Sequence, residues 1–163
     1  MPSNKIDSNF SCNCIGDKSE RSVDGRAGTG FFFSGQNNRV TNNVAAGCAS
    51  TWQEIVSGSG FYYFSTPSVT SRNIPNFQGA DPDEDGTLTN LKMIPVLQFE
   101  NNEAYGSMAT GMTMWHLGTD GYDTPTMAES VLLNLVCWHC WEEAFFGYPT
   151  NHLTIDGLVV RGD

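Results

Sequence analysis

Basic residues are scarce. Eight Lys and Arg stand against 18 Asp and Glu, for a formal net charge of −10 at pH 7. A chain so charged repels phosphate backbones and anionic bilayers, which argues against nucleic acid as a partner. Long apolar runs are missing as well. No stretch approaches the roughly 20 residues that a membrane-crossing helix requires, so membrane insertion is not expected. The opening segment, Met1 to Asn9, is polar and has no signal-peptide core. The export signal of a secreted parent would therefore lie outside this sequence. An even cysteine count is absent too. Cys12, Cys14, Cys48, Cys137 and Cys140 make five, so at least one thiol is free or intermolecular. The redox compartment is left open.

The chain has 163 residues, about the length of one domain. Its 17 Gly, together with 10 Phe, 5 Tyr and 4 Trp, suit many short strands joined by tight bends. A repeat is visible. Val40-Thr-Asn-Asn-Val-Ala-Ala-Gly47 recurs as Phe99-Glu-Asn-Asn-Glu-Ala-Tyr-Gly106, with weaker copies starting at Ile6, Leu132 and Ile155. A second element precedes four of these copies: Gly30-Phe-Phe-Phe33, Gly60-Phe-Tyr-Tyr63, Gly111-Met-Thr-Met114 and Ala144-Phe-Phe-Gly147. A unit of about 23 residues with inserted loops accounts for the set. One such unit cannot bury its apolar side alone, whereas stacked units share a core and pair through parallel ladders. Asn9, Asn42, Asn43, Asn101, Asn102 and Asn134 fall where side-chain amides can stack at the bends. Asn also tolerates the left-handed backbone of such bends, and Gly30, Gly47, Gly60, Gly106, Gly111 and Gly162 are assigned the same role.

The expected fold is all-β: a right-handed parallel β-helix, or solenoid, of about four to five coils in a single domain over 1–163. Insertions are expected near 67–93 and 119–128. The runs 28–46, 97–106 and 153–162 resemble the repeats of the pectin-lyase-like superfamily of large secreted proteins. The resemblance covers nearly the whole chain and concerns scaffold residues. It implies an extracellular or cell-surface parent and a carbohydrate partner, and it names no reaction. The repeat starts by Ile6 and runs to the last residues, so the chain reads as an internal segment of a longer protein. Uncapped coils would also allow end-to-end homo-oligomers.

Candidate sites are scattered. Asp81, Asp83 and Asp85, followed by Gly86, match the opening of a calcium loop. The match stops at Lys92, where a bidentate Glu is required, so a solvated acidic turn is the competing reading. Calcium is the one cofactor the sequence suggests. Cys137-Trp-His-Cys140 has zinc-like spacing, but in an extended strand the two thiols point to opposite faces. Cys137 also aligns with Ala45 and Ala104, which favours a small buried residue. Glu103 falls in a column with Phe10, Val44, Val136 and Val159. If buried there, its carboxyl would be a raised-pKa general acid; if turned outward, it would be an ordinary surface acid. His116, beside Trp115, is a second candidate catalytic residue, and it shares with His139 a position at the end of a coil. Trp115, Tyr62 and Trp138 are candidate sugar-stacking residues. Arg161-Gly162-Asp163 is explained by the repeat, since Gly162 shares the column of Gly47 and Gly106.

The functional expectation is a carbohydrate-interacting β-helix, related to polysaccharide lyases or hydrolases, with catalysis left open. The alternative is a non-catalytic structural or adhesive solenoid segment, or a gene fragment without activity of its own.

Overall fold

In the computed structural model, residues 4–16, 27–34, 38–50, 57–64, 70–71, 89–90, 92, 94–118 and 128–162 are described. None of them lies in an α-helix. Strands β1 (Asn4–Asp7), β2 (Phe10–Cys12), β3 (Ile15–Gly16), β4 (Phe31–Phe33), β5 (Asn38–Thr41) and β6 (Val44–Ala46) come first. Next are β7 (Ala49–Ser50), β8 (Phe61–Phe64), β9 (Thr70–Ser71), β10 (Thr89–Asn90), β11 (Gln98–Glu100) and β12 (Glu103–Tyr105). The last are β13 (Thr110–Leu117), β14 (Ser130–Leu133), β15 (Val136–Trp138), β16 (Glu143–Thr150), β17 (Leu153–Asp156) and β18 (Val159–Arg161).

These strands form three stacked sheets, ordered β1-β5-β11-β14-β17, β18-β15-β12-β6-β2 and β16-β13-β8-β4, with a short β3-β7 pair. Every pairing in them is parallel. Among the described strands only β9 and β10, inside the first insertion, pair antiparallel. Parallel ladders need a crossover between partners. Here the crossover of each sheet is made by the strands of the others, which gives the architecture of a parallel β-solenoid.

The repeat register holds residue for residue. Ile6, Val40, Phe99, Leu132 and Ile155 stack in the first sheet. Phe31, Phe61, Met112 and Phe145 stack in the third, so the Gly-aromatic element is a second true repeat. The enclosed core holds Val40, Ala45, Phe61, Tyr63, Phe99, Ala104, Met112, Met114, Leu132, Leu135 and Cys137, none more than 1% exposed.

Two amide ladders run along the bend after the first sheet. In the inner one, Asn43 Oδ1 accepts from the backbone N–H and the side-chain amide of Asn9, both at 2.9 Å. Asn102 Oδ1 does the same for Asn43, at 2.9 and 3.0 Å. In the outer one, Asn134 donates to Asn101 at 2.9 Å and Asn101 to Asn42 at 3.4 Å. Asn42, Asn101 and Asn134 adopt φ of 55°, 54° and 52°. The glycines divide into two roles. Gly47 and Gly106 have φ of 64° and 62° at the next bend. Gly162 is not left-handed and has open space around it. Gly30, Gly60 and Gly111 are not left-handed either, contrary to the expectation. They are small because neighbouring chain approaches them: a Cβ on Gly60 would lie 2.7 Å from the Gly111 carbonyl oxygen.

Asp7 fastens the first rung to the second. Its carboxylate accepts from Thr41 Oγ1 at 2.6 Å and Asn42 Nδ2 at 2.9 Å. These bonds hold its pKa below the usual 3.8. A depressed carboxylate stabilises the fold above the unfolded-state pKa, and the contribution is lost as pH falls through the folded value. Acid unfolding below pH 3.8 should therefore be less steep in Asp7→Asn than in the parent chain. Circular dichroism titrations of the two proteins check this, and superimposable curves would remove Asp7 from the account.

Candidate functional site

The third sheet has two aromatic faces. Phe33, Phe61, Tyr63, Met112 and Met114 point into the core. Strand alternation sends the residues between them outward. The outward set forms a separate cluster in which Tyr62 and Phe64 are buried, with Phe32, Trp115 and Phe146 packed on them. Tyr62 is fully buried and has Phe32 edge-on at 5.5 Å and Phe64 at 6.0 Å. It offers no surface to a ligand, so its expected role as a stacking residue is corrected. A second apolar layer outside the core, invisible in a simple in–out alternation, covers it.

The cluster opens toward β16. Trp115 and Phe146 are half-buried, and Tyr148 is 52% exposed. Trp115 and Tyr148 are register partners on adjacent strands, with ring centroids 4.8 Å apart. Phe146 lies 6.2 Å from Trp115 and 6.4 Å from Tyr148, nearly parallel to the latter at 10°. Together the three rings form a graded strip, buried at one end and open at the other. Phe146 and Tyr148 were not singled out from sequence. The available signal was the continuation of β16 past Gly147, which puts Tyr148 opposite Trp115.

His116 borders this strip. Its ring is 5.8 Å from Trp115 and 6.0 Å from Tyr148, and its φ is 63°. Burial, and then the charge of Lys92, push its pKa below 6.5, so the imidazole is neutral at neutral pH. The structure thus brings Trp115 and His116 together. It does not place His139 beside them. His139 lies at the bend after β15, with its ring 5.8 Å from Tyr105.

Glu103 is elsewhere, in the second sheet. On the inner rungs its column is the outer of the two: Val44, Glu103 and Val136 are half-buried, whereas the adjacent Ala45, Ala104 and Cys137 are buried. Of the two readings of Glu103, the outward one fits this placement. The bend at Asn101 and Asn102 resets the alternation, so the residue after the buried Asn102 points out and Ala104 points in. Trp138 lies in the same sheet, flanked by Tyr105 at 6.4 Å, with the Arg161 guanidinium 4.5 Å above its ring. Its surface is already engaged by protein.

Cys137 is buried as expected, but Cys140 does not point away from it. Both pack on the same core cluster, because His139, at φ 49°, turns the chain between them. Among the described residues no group of three His, Cys, Asp or Glu side chains could hold a metal ion. Asp81, Asp83 and Asp85 lie outside the described residues.

Comparison with family models, curated proteins and solved structures finds no match to this chain.

Proposed function

We propose that the chain is a carbohydrate-interacting, right-handed parallel β-helix of about four to five coils, of pectin-lyase-like type, acting in an extracellular or cell-surface parent. The observation that carries the reading is the Trp115–Phe146–Tyr148 strip, with its open Tyr148 end. Pyranose rings present apolar C–H faces that stack on such rings, and the polar tips of Tyr and Trp suit hydroxyl groups. To His116, uncharged and beside the strip, we assign the hydrogen bond to a sugar hydroxyl. The net charge of −10 favours neutral glycans over polyuronates. An acidic glycan would need calcium as a bridge, and Asp81, Asp83 and Asp85 are the candidate ligands.

A panel of neutral and acidic polysaccharides, with calcium or chelator, tests this by affinity electrophoresis, reducing-end assay and absorbance of unsaturated products. Retention on a neutral glycan is the expected result. Tyr148→Ala should weaken it roughly threefold to tenfold, the value of about one aromatic contact. Calcium-dependent unsaturated product would make the chain a lyase, and new reducing ends alone a hydrolase. No retention on any glycan would sink the carbohydrate reading.

A second reading is a structural or adhesive solenoid segment. It is favoured by apolar side chains on the edge strands β2, β3 and β18: Phe10, Ile15 at 69% exposure, and Val160 at 60%. Edge strands with apolar side chains invite further pairing. On this reading the chain associates end to end, and sedimentation velocity should show the mass rising with concentration. A single monomeric species at all concentrations would dismiss it.

A further inference from the structure

The bend after the second sheet carries a column of sulfur and hydroxyl groups. Successive rungs place Cys14, Cys48, Ser107 and Cys140 at one corner position, and Ser11, Ala45, Ala104 and Cys137 three residues earlier. The two positions face each other across the corner. On the first rung Ser11 Oγ and Cys14 Sγ are 3.1 Å apart. On the rung of β15 both positions are cysteine, and both side chains pack on the same core cluster. All five cysteines are free thiols in the structure.

We propose that Cys137 and Cys140 are a reversible dithiol–disulfide pair that exchanges with disulfides of the glutathione class. The two side chains lie three residues apart across the bend at His139 and pack on the same core cluster, at the positions that bring Ser11 and Cys14 to 3.1 Å on the first rung. The site is asymmetric. Cys137 is 1% exposed, and its Sγ donates to the Ala144 carbonyl oxygen at 3.4 Å. Cys140 is the more exposed of the two, so the attack on an external disulfide is assigned to it. A hydrogen bond from Cys137, made in place of the one to Ala144, draws the Cys140 thiol below its ordinary range, while the same contact and burial push Cys137 up. A lowered pKa makes Cys140 the attacking thiolate.

The exchange balances in two steps. Cys140 thiolate attacks one sulfur of oxidised glutathione, forming a mixed disulfide and expelling one glutathione thiolate. Cys137 then loses its proton and attacks Cys140 Sγ, expelling the second glutathione. The protein gives up two electrons and two protons, and one oxidised glutathione becomes two reduced. Cys48 cannot compete. It is fully buried, and burial pushes its thiol to about 12.

The column itself supplies substitutions that fit. Ala45 and Ala104 show that alanine is accepted at the Cys137 position, and Ser107 shows that serine is accepted at the Cys140 position. The full chain is equilibrated in glutathione buffers of increasing oxidation, quenched in acid, alkylated, digested and weighed. The expected product is one peptide holding residues 137–140 that is lighter by two hydrogens, at every protein concentration. Cys137→Ala should stop at glutathione bound to Cys140, and Cys140→Ser should take up none at position 137. Circular dichroism confirms that both variants are folded. Stable glutathionylation of Cys140 in the parent chain, a Cys14–Cys48 bond instead, or no oxidation at all would each overturn the proposal.

Discussion

Gly28→Ala is expected to destabilise the fold by roughly 4 kcal/mol or more, enough to prevent recovery of folded protein. Gly28 has φ 70°, and a Cβ there would overlap the Ala49 carbonyl oxygen. It would also lie 2.6 Å from the Ala49 carbonyl carbon and 2.9 Å from the Gly16 amide nitrogen. All three obstacles are backbone, and β3 and β7 are paired at this point, so the neighbours cannot give way. Gly106→Ala is the control. Gly106 has a similar φ of 62°, but its nearest neighbour would be 3.9 Å away. The substitution there meets conformational strain without overlap, about 1–2 kcal/mol. Urea unfolding followed by circular dichroism compares the two. Equal losses would mean that the corner at Gly28 is not closely packed.

The second large effect is expected at Asn102. Asn102→Ala should cost roughly 2–4 kcal/mol, within the range for leaving a buried polar group unpaired and opening a small void. Asn102 is fully buried, and its Oδ1 is the acceptor for the Asn43 backbone N–H. Its Nδ2 donates to the Val40 carbonyl oxygen at 2.9 Å. The Asn43 side chain retains bonds to Ile6 and Thr41 carbonyls, so the backbone N–H bears the main loss. Asn101→Ala, on the exposed outer ladder, should cost less, because water replaces the lost partners. Chemical denaturation of both variants reads the difference. An equal cost at the two positions would show that the inner ladder has no special weight.

Much of the stacking was legible in the sequence because the ladder constrains residue type directly. A position in the shared core must be apolar, and a position in the inner amide ladder is best filled by Asn. Val40 and Phe99, or Asn43 and Asn102, therefore reveal their pairing as like residues at like positions. Side-chain direction was less legible. Alternation can be read along a strand, but each left-handed bend resets it. The direction of Glu103 stays open in the sequence for that reason, and Cys140 reads as facing away from Cys137 because the turn at His139 carries no marker such as Gly. The aromatic strip was half legible. Trp115 and His116 were identified, whereas Tyr148 depended on strand length, and Tyr62 on a second apolar layer that no local pattern reveals. The calcium-like Asp81–Asp85 segment remains a matter for the glycan and chelator experiment.

The uneven sequence distance between stacked rungs also sets an order of events in refolding. Asn43 and Asn102 are neighbours in the inner ladder but lie 59 residues apart in the chain. Leu132 and Ile155 stack across only 23 positions (155 minus 132). Loop-closure entropy grows with the logarithm of length, so the longer closure costs about 0.8 kcal/mol more. In a stack where each rung touches only its neighbours, assembly begins where closure is cheapest and then propagates. The carboxy-terminal rungs, which carry the dithiol and the open end of the aromatic strip, are thus the natural nucleus, and the amino-terminal rungs zip onto them as the later step.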